Sequence, residues 1–148
     1  MLLLDANVCI YAIREDSIDH EAYRRWVGGV LTGEEPIGVS ELVLSGVMRL
    51  LTNHRMFRQP STTVQALEAC NSLRSAPAAV PLRPGPRHWG IFDSLCAEVG
   101  AKANTVPDAY HAALAIENGA TWITTDRSFA RFPGLRWRPP LGGQSPDH

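Results

Sequence analysis

The chain has 148 residues, 45% hydrophobic and 20% charged, with a formal net charge of -1, the size and make-up of one globular domain with a real core. No run approaches the ~20 apolar residues of a membrane span, and there is no low-complexity tract or internal repeat. The three cysteines, Cys9, Cys70 and Cys96, form no CxxC pair and lie in apolar stretches, which suits free thiols in a reducing compartment and predicts a soluble, cytoplasmic protein with no membrane contact.

Met1-Leu2-Leu3-Leu4 running into Asp5 predicts a short buried strand over 2–5, and Asn7 to Ile13 begins a helix. Ile18, Ala22, Tyr23, Trp26, Val27 and Val30 recur at three- and four-residue spacing, an amphipathic helix ending near Gly33. Pro36 to Val39 reads as a second strand, after which Ser40 caps a helix whose apolar face is Leu42, Val43, Val47, Leu50 and Leu51. Pro60-Ser61 starts a helix running to about Leu73, Ala79 to Leu82 is a third strand, and Pro86 to Val99 a further helix. Pro107 to Glu117 is the next helix, stopped by Gly119. A strand over Trp122 to Thr125, a helical turn over Ser128 to Arg131 and a last strand over Leu135 to Arg138 complete the pattern. Strands alternating with helices mean an α/β fold with a parallel sheet covered on both faces. The expected domain spans 1–140, and residues 141–148, with little to pack, are expected to form a flexible tail.

Four carboxylates, Asp5, Glu41, Asp108 and Asp126, sit where an apolar run gives way to a helix start. In open parallel sheets ligands bind beyond the carboxyl ends of the strands, where Asp5 and Asp126 fall. Each acid also has a plain structural explanation. Asp5 and Asp126 can cap the turns that follow them, and Glu41 suits the dipole of its helix. Thr105-Val106-Pro107-Asp108 resembles a capping box with proline inside the first turn. Yet Ser, Thr or Asn would cap equally well, whereas four acids at one edge repel one another and raise each other's pKa. A hard divalent cation, Mg²⁺ or Mn²⁺, removes that penalty; it can activate a water and stabilise the leaving oxygen of a phosphodiester.

Around the acids, Asn7 either caps its helix or holds a carboxylate or a metal-bound water. Thr124 and Thr125 can donate hydroxyls to the cluster or merely reflect β-propensity. Asn104 and Arg127 are polar neighbours of the site. His111, one turn after Asp108, has no second histidine at ligand spacing and is expected to be a packed or surface side chain. Arg49, His54, Arg55 and Arg58 are either phosphate contacts beside Glu41 or an exposed helix face. The cations are almost all arginine, Lys102 being the only lysine; a planar guanidinium fork suits phosphate, and codon bias would produce the same count.

Leu3-Leu4-Asp5-Ala6-Asn7-Val8, Ser40-Glu41-Leu42, Pro107-Asp108-Ala109, and the run Ala112 to Ala120 leading to Thr124-Thr125-Asp126-Arg127-Ser128-Phe129-Ala130-Arg131-Phe132-Pro133-Gly134-Leu135 resemble the PIN-domain family. More narrowly, they are similar to the VapC-type toxins of bacterial type II toxin-antitoxin pairs. The resemblance covers nearly the whole chain and is most specific in its C-terminal part; it is weak between Arg55 and Lys102. It implies a three-layer α/β/α fold with a roughly five-stranded parallel sheet and a Mg²⁺- or Mn²⁺-dependent endoribonuclease acting on RNA. It also implies a homodimer, inhibited by a cognate VapB-like antitoxin whose tail fills the active-site groove. It puts Asp5, Glu41, Asp108 and Asp126 on the family's metal-site positions and Asn104 where a polar or acidic residue is frequent. His111 departs from the pattern, since related chains commonly carry an apolar residue there. Two rival functions stand beside the toxin: a PIN nuclease of RNA processing, and a catalytically silent PIN-like module that binds RNA or protein. An aspartyl-phosphate hydrolase also opens with a strand ending in Asp, but it wants a second Asp where this chain has Asn7.

Overall fold

The computed structural model describes residues 1–142 and holds one fully parallel five-stranded sheet. Its strands are β1 (Leu2–Leu4), β2 (Ile37–Ser40), β3 (Ala79–Leu82), β4 (Thr121–Ile123) and β5 (Trp137–Arg138), in the order β3-β2-β1-β4-β5. The helices are α1 (Ala6–Ile13), α2 (His20–Leu31), α3 (Glu41–Leu51), α4 (Thr63–Arg74), α5 (His88–Val99) and α6 (Thr105–Glu117), and a 3-10 turn (Arg127–Arg131) follows β4. Every strand and helix expected from the sequence is present, so the α/β expectation holds. The flexible tail was expected over 141–148; residues 143–148 lie outside the described residues.

From β1 the chain steps outward to β2 and β3 through α1 to α4, then returns across the sheet to β4 on the other side of β1. Right-handed crossovers, the strong rule for parallel connections, put helices reached in opposite directions on opposite faces. The packing agrees: α1 lies against α2 and α3, α3 against α4, and α5 against α6. Leu2, Leu3 and Leu4 are buried because β1 is central and covered on both sides. Helix α6 buries Ala109, Ala112, Ala113, Leu114 and Ala115, and the four alanines leave room for the helix to come close to the sheet. Trp122 fills the adjoining space, stacked on His111 at 5.0 Å between ring centroids and tilted against Phe129 at 5.4 Å.

Some boundaries differ from expectation, each for a local reason. Helix α6 starts at Thr105, two residues before Pro107, because Ala103 takes a left-handed turn (φ 48) that redirects the chain into the helix. Pro107 then falls inside the first turn, where its missing N–H is not needed. This corrects the capping-box expectation: Thr105 is helical, and its hydroxyl accepts from Arg131 Nη1 at 3.2 Å. Helix α2 likewise starts at His20, behind left-handed Asp19 (φ 53), and leaves Ile18 74% exposed rather than on the apolar face. Gly119 (φ 60) ends α6 as expected. No helix among the described residues is long and apolar enough to cross a membrane.

Candidate active site

Strand order reverses between β1 and β4, and the crevice beyond the carboxyl ends at such a switch point is where open α/β sheets bind ligands. β1 runs directly into Asp5, and β4 runs through Thr124 and Thr125 into Asp126. Because α6 leads back to the amino end of β4, its own N-terminus lies at the carboxyl edge and carries Asp108 in its first turn. Topology alone thus brings three aspartates, distant in sequence, to one crevice.

Asp5 does two jobs there. Its Oδ1 caps α1 by accepting from the Ala6 N–H at 2.7 Å, and its Oδ2 accepts from the Thr124 hydroxyl at 2.6 Å. Thr124 is fully buried, and its Oγ1 in turn accepts the Asp126 N–H at 3.0 Å. Asp126 Oδ1 caps the 3-10 turn by accepting from the Ser128 N–H at 2.9 Å. One hydroxyl therefore ties the end of β1 to the end of β4, which valine, the isosteric β-former, cannot do.

The electrostatics follow from this crowding. Burial pushes the Asp5 carboxyl up to about 6; the Thr124 and Ala6 hydrogen bonds oppose the shift, and the charges of Asp108 and Asp126 add to it. Asp108 is raised by burial and then by Asp126, with the Arg131 guanidinium pulling the other way. Arg131 is held over the site by bonds from its Nε to the Ser128 carbonyl (2.8 Å) and from its Nη1 to Thr105. Sequence reasoning did not single it out, although a cation inside the same C-terminal run as Asp126 is a signal that could have found it.

Glu41 stands apart from the three aspartates. It opens α3 at the same sheet edge, beyond the end of the neighbouring strand, but its side chain is 68% exposed and its ion pair is with Arg83 Nε at 3.9 Å. It is not among the charges that raise Asp5 or Asp108. Among the described residues no three His, Cys, Asp or Glu side chains form a group that could hold a metal ion as they stand. As they stand, Asp5 is engaged through Oδ1 with the Ala6 N–H and through Oδ2 with the Thr124 hydroxyl, and Asp126 through Oδ1 with the Ser128 N–H. The donor set is nonetheless all oxygen and mutually repelling, which suits a hard cation, and Mg²⁺ commonly takes only one or two carboxylates directly and keeps waters elsewhere.

The remaining candidates divide. Asn7 is not a cap, since Asp5 occupies that position; its Oδ1 is buried without a hydrogen-bond partner, two residues from Asp5. Thr124, rather than Thr125, supplies the hydroxyl to the cluster. Asn104 is exposed at the N-cap of α6 and makes no capping bond, and Arg127 opens the 3-10 turn on the surface. His111 is packed, as expected: burial pulls its ring down to about 4. Its Nδ1 and the Trp122 Nε1 lack hydrogen-bond partners. Arg49, His54, Arg55 and Arg58 are exposed but are not beside Glu41. At about 1.5 Å of rise per residue, the length of α3 separates them from its first residue.

Fold and site together define an α/β protein with an acidic centre at the switch point of a parallel sheet. The PIN domain family model matches residues 2–135, and the chain belongs to the PIN domain family. It is 46% identical over 145 residues to "VapC ribonuclease Mb2897" of Mycobacterium bovis, covering 98% of this chain and 99% of that one. It is 39% identical over 142 residues to "Ribonuclease VapC31" of Mycobacterium tuberculosis, covering 95% and 100%. Among solved structures it is similar to VapBC2 from Rickettsia felis bound to a promoter DNA fragment, with a TM-score of 0.66 at 18% identity over 93% of this chain and 97% of that one. DNA-bound VapBC from Salmonella typhimurium gives 0.64 at 19% identity over 95% and 99%. At such identities the two structures speak to the fold, which they share with this chain.

Proposed function

We propose that this chain is a ribonuclease of the VapC type, the toxin of a toxin-antitoxin pair, hydrolysing RNA phosphodiesters with Mg²⁺ or Mn²⁺ in the aspartate crevice. The observation that carries the reading is the Asp5 carboxyl, buried at a sheet switch point and raised to about 6 with two further aspartates acting on it. A cap alone has no use for that crowding; a cation site does. The relatives named as ribonucleases, which match almost end to end, supply the substrate class.

Asp5, Asp108 and Asp126 would hold the ion, with Glu41 as a fourth acid that reaches the crevice by turning away from Arg83. When bound, the ion supplies charge neutralisation, an activated water and stabilisation of the leaving oxygen. The chain's own residues do the rest. Thr124 keeps Asp5 Oδ2 oriented, Arg131 balances Asp108 and offers a positive charge to an incoming phosphate, and the helix starts at Ala6 and Thr105 point positive dipole ends at the crevice. The unpartnered Asn7 Oδ1 is an acceptor held beside Asp5. Thr125, Asn104 and Arg127, each next in sequence to an aspartate or to the start of α6, would then be within reach of the substrate as contacts. Partners follow from the same likeness: a VapB-like antitoxin and a second copy of this chain, in the cytoplasm.

Asp5→Asn and Asp108→Asn should each abolish RNA cleavage with the circular dichroism spectrum unchanged, and chelation should do the same to the native protein. Retained cleavage in any of these sinks the assignment. Growth arrest on induced expression, relieved by the product of a small neighbouring reading frame, separates a toxin from an RNA-processing nuclease. A calorimetric titration with Mn²⁺ showing no binding would instead favour a silent module.

A further inference from the structure

A second feature lies on the same sheet edge, away from the aspartates. Between the ends of β2 and β3 and the last turn of α4 there is a groove of about 380 Å³, lined among others by Val39, Glu41, Asn71, Arg74, Pro81 and Arg83. That volume falls in the range of sites for small ligands, roughly 300–1,000 Å³. Its lining mixes apolar residues, Val39, Leu44, Pro81 and Leu82, with the guanidiniums of Arg74 and Arg83 and the Glu41 carboxylate.

Strand order sets the direction in which this groove points. Arg83 follows β3, Glu41 follows β2, Asp5 follows β1 and Asp126 follows the region of β4, so the four stand in that order along one edge. Neighbouring strands are about 4.8 Å apart, which puts the end of β3 about 10 Å from the end of β1. A single strand whose scissile phosphate sits at the aspartates and which continues along the edge would lay its next phosphates at Arg83 and Arg74.

Each arginine has a bland role to set against this. Arg74 is in the last turn of α4, where the helix dipole favours a cation, and Arg83 neighbours Glu41. Neither role uses the guanidinium fully. The Arg83–Glu41 pair is long, at 3.9 Å, with side chains 75% and 68% exposed, and exposed pairs of that kind contribute little. A phosphate, accepting two parallel N–H bonds, is the better partner for a planar fork. The dipole accounts for Arg74 at the end of α4 but not for Arg83, which follows β3 and lines the same groove.

The geometry points to this groove as the seat of an RNA strand flanking the cleaved bond, with Arg74 and Arg83 contacting its phosphates and the apolar lining residues taking a base. Release of Glu41 from Arg83 on phosphate binding frees that acid to turn toward the crevice, so occupation of the groove and completion of the acidic site go together. The inference rests on the ribonuclease reading and deepens it.

The test is equilibrium binding of the full chain, with EDTA present so that nothing is cut, to a short fluorescein-labelled oligouridylate followed by anisotropy over a salt series. The Arg74→Ala/Arg83→Ala double variant should bind about tenfold more weakly. Its slope of log affinity against log salt should fall by about 1.4, two single-strand phosphate contacts at about 0.7 each. Arg74→Lys/Arg83→Lys should keep the slope, and Arg24→Ala/Arg25→Ala on the exposed face of α2 should match the native protein. If the native chain binds the RNA and the double alanine variant keeps both affinity and slope, the groove assignment is wrong while the ribonuclease reading stands. The groove assignment fails in the same way if the double variant loses only its binding to polyglutamate, which would make the groove a seat for an acidic protein segment. If the native chain binds no RNA at all, the ribonuclease reading fails and takes the groove with it.

Discussion

Asp5 and His111 are both largely buried titratable groups, and they pull stability in opposite directions with pH. The Asp5 carboxyl has its folded value raised from 3.8 to about 6. The folded state therefore holds that proton more tightly than the unfolded state, and stability from this group is lost as pH rises through the window from about 4 to 6. His111 is lowered from 6.5 to about 4, so its contribution is present above the unfolded value and lost as pH falls through the same window. Each shift is worth at most roughly 3 to 3.5 kcal/mol at about 1.4 kcal/mol per pH unit, and the two largely offset. Asp5→Asn should make the metal-free protein more heat-stable at pH 8 than the native chain and expose a loss of stability toward pH 4. His111→Phe, which keeps a ring on Trp122, should leave the reverse slope. Thermal melts of both variants across that range check the signs, and parallel curves would contradict the burial of these groups.

At the scale of elements, what makes the site is the seam between β1 and β4. Thr124 links them by donating to Asp5 and accepting from the Asp126 N–H. Thr124→Val keeps the shape and removes both bonds. It should raise the Asp5 carboxyl further, destabilise the fold by about 1–3 kcal/mol through the loss of two hydrogen bonds, one of them to a carboxylate, and lower cleavage without changing the groove's affinity for RNA under chelation. Chemical denaturation and a cleavage assay measure the two effects. The loop from β3 to α5 shows the same dependence on one contact: the Glu117 carboxylate accepts the N–H of Gly85 at 2.8 Å and of Arg87 at 3.0 Å. A Cβ on Gly85 would stand 2.6 Å from that carboxylate, which would have to swing aside and give up its bond there. The elements themselves were legible because apolar runs and helical periodicity are local properties. The starts of α2 and α6 were not, because left-handed Asp19 and Ala103 set them; alanine gives no signal of that conformation, and aspartate, though it tolerates it, adopts it only in a minority of cases.

For the whole molecule, a crevice of like charges held together by topology should be relieved by a cation. Mn²⁺ or Mg²⁺ should raise the melting temperature of the native chain, by about 2.7 kcal/mol of stabilisation at a concentration a hundred times the Kd. The same ions should leave Asp5→Asn almost unmoved, and a scanning-calorimetry series with each ion checks this independently of any cleavage. Sequence alone determined that the chain alternates strands and helices, that its acids sit at strand ends and helix starts, and which motifs carry the family likeness, because all of these are written in local pattern. Only the tertiary structure decided which acids meet. The strand order β3-β2-β1-β4-β5 brings Asp5 and Asp126 together from opposite ends of the chain, with Asp108 above them on α6. It leaves Glu41 turned outward to Arg83 and places Arg131 against Asp108, since distances across a sheet depend on strand neighbours and not on separation along the chain.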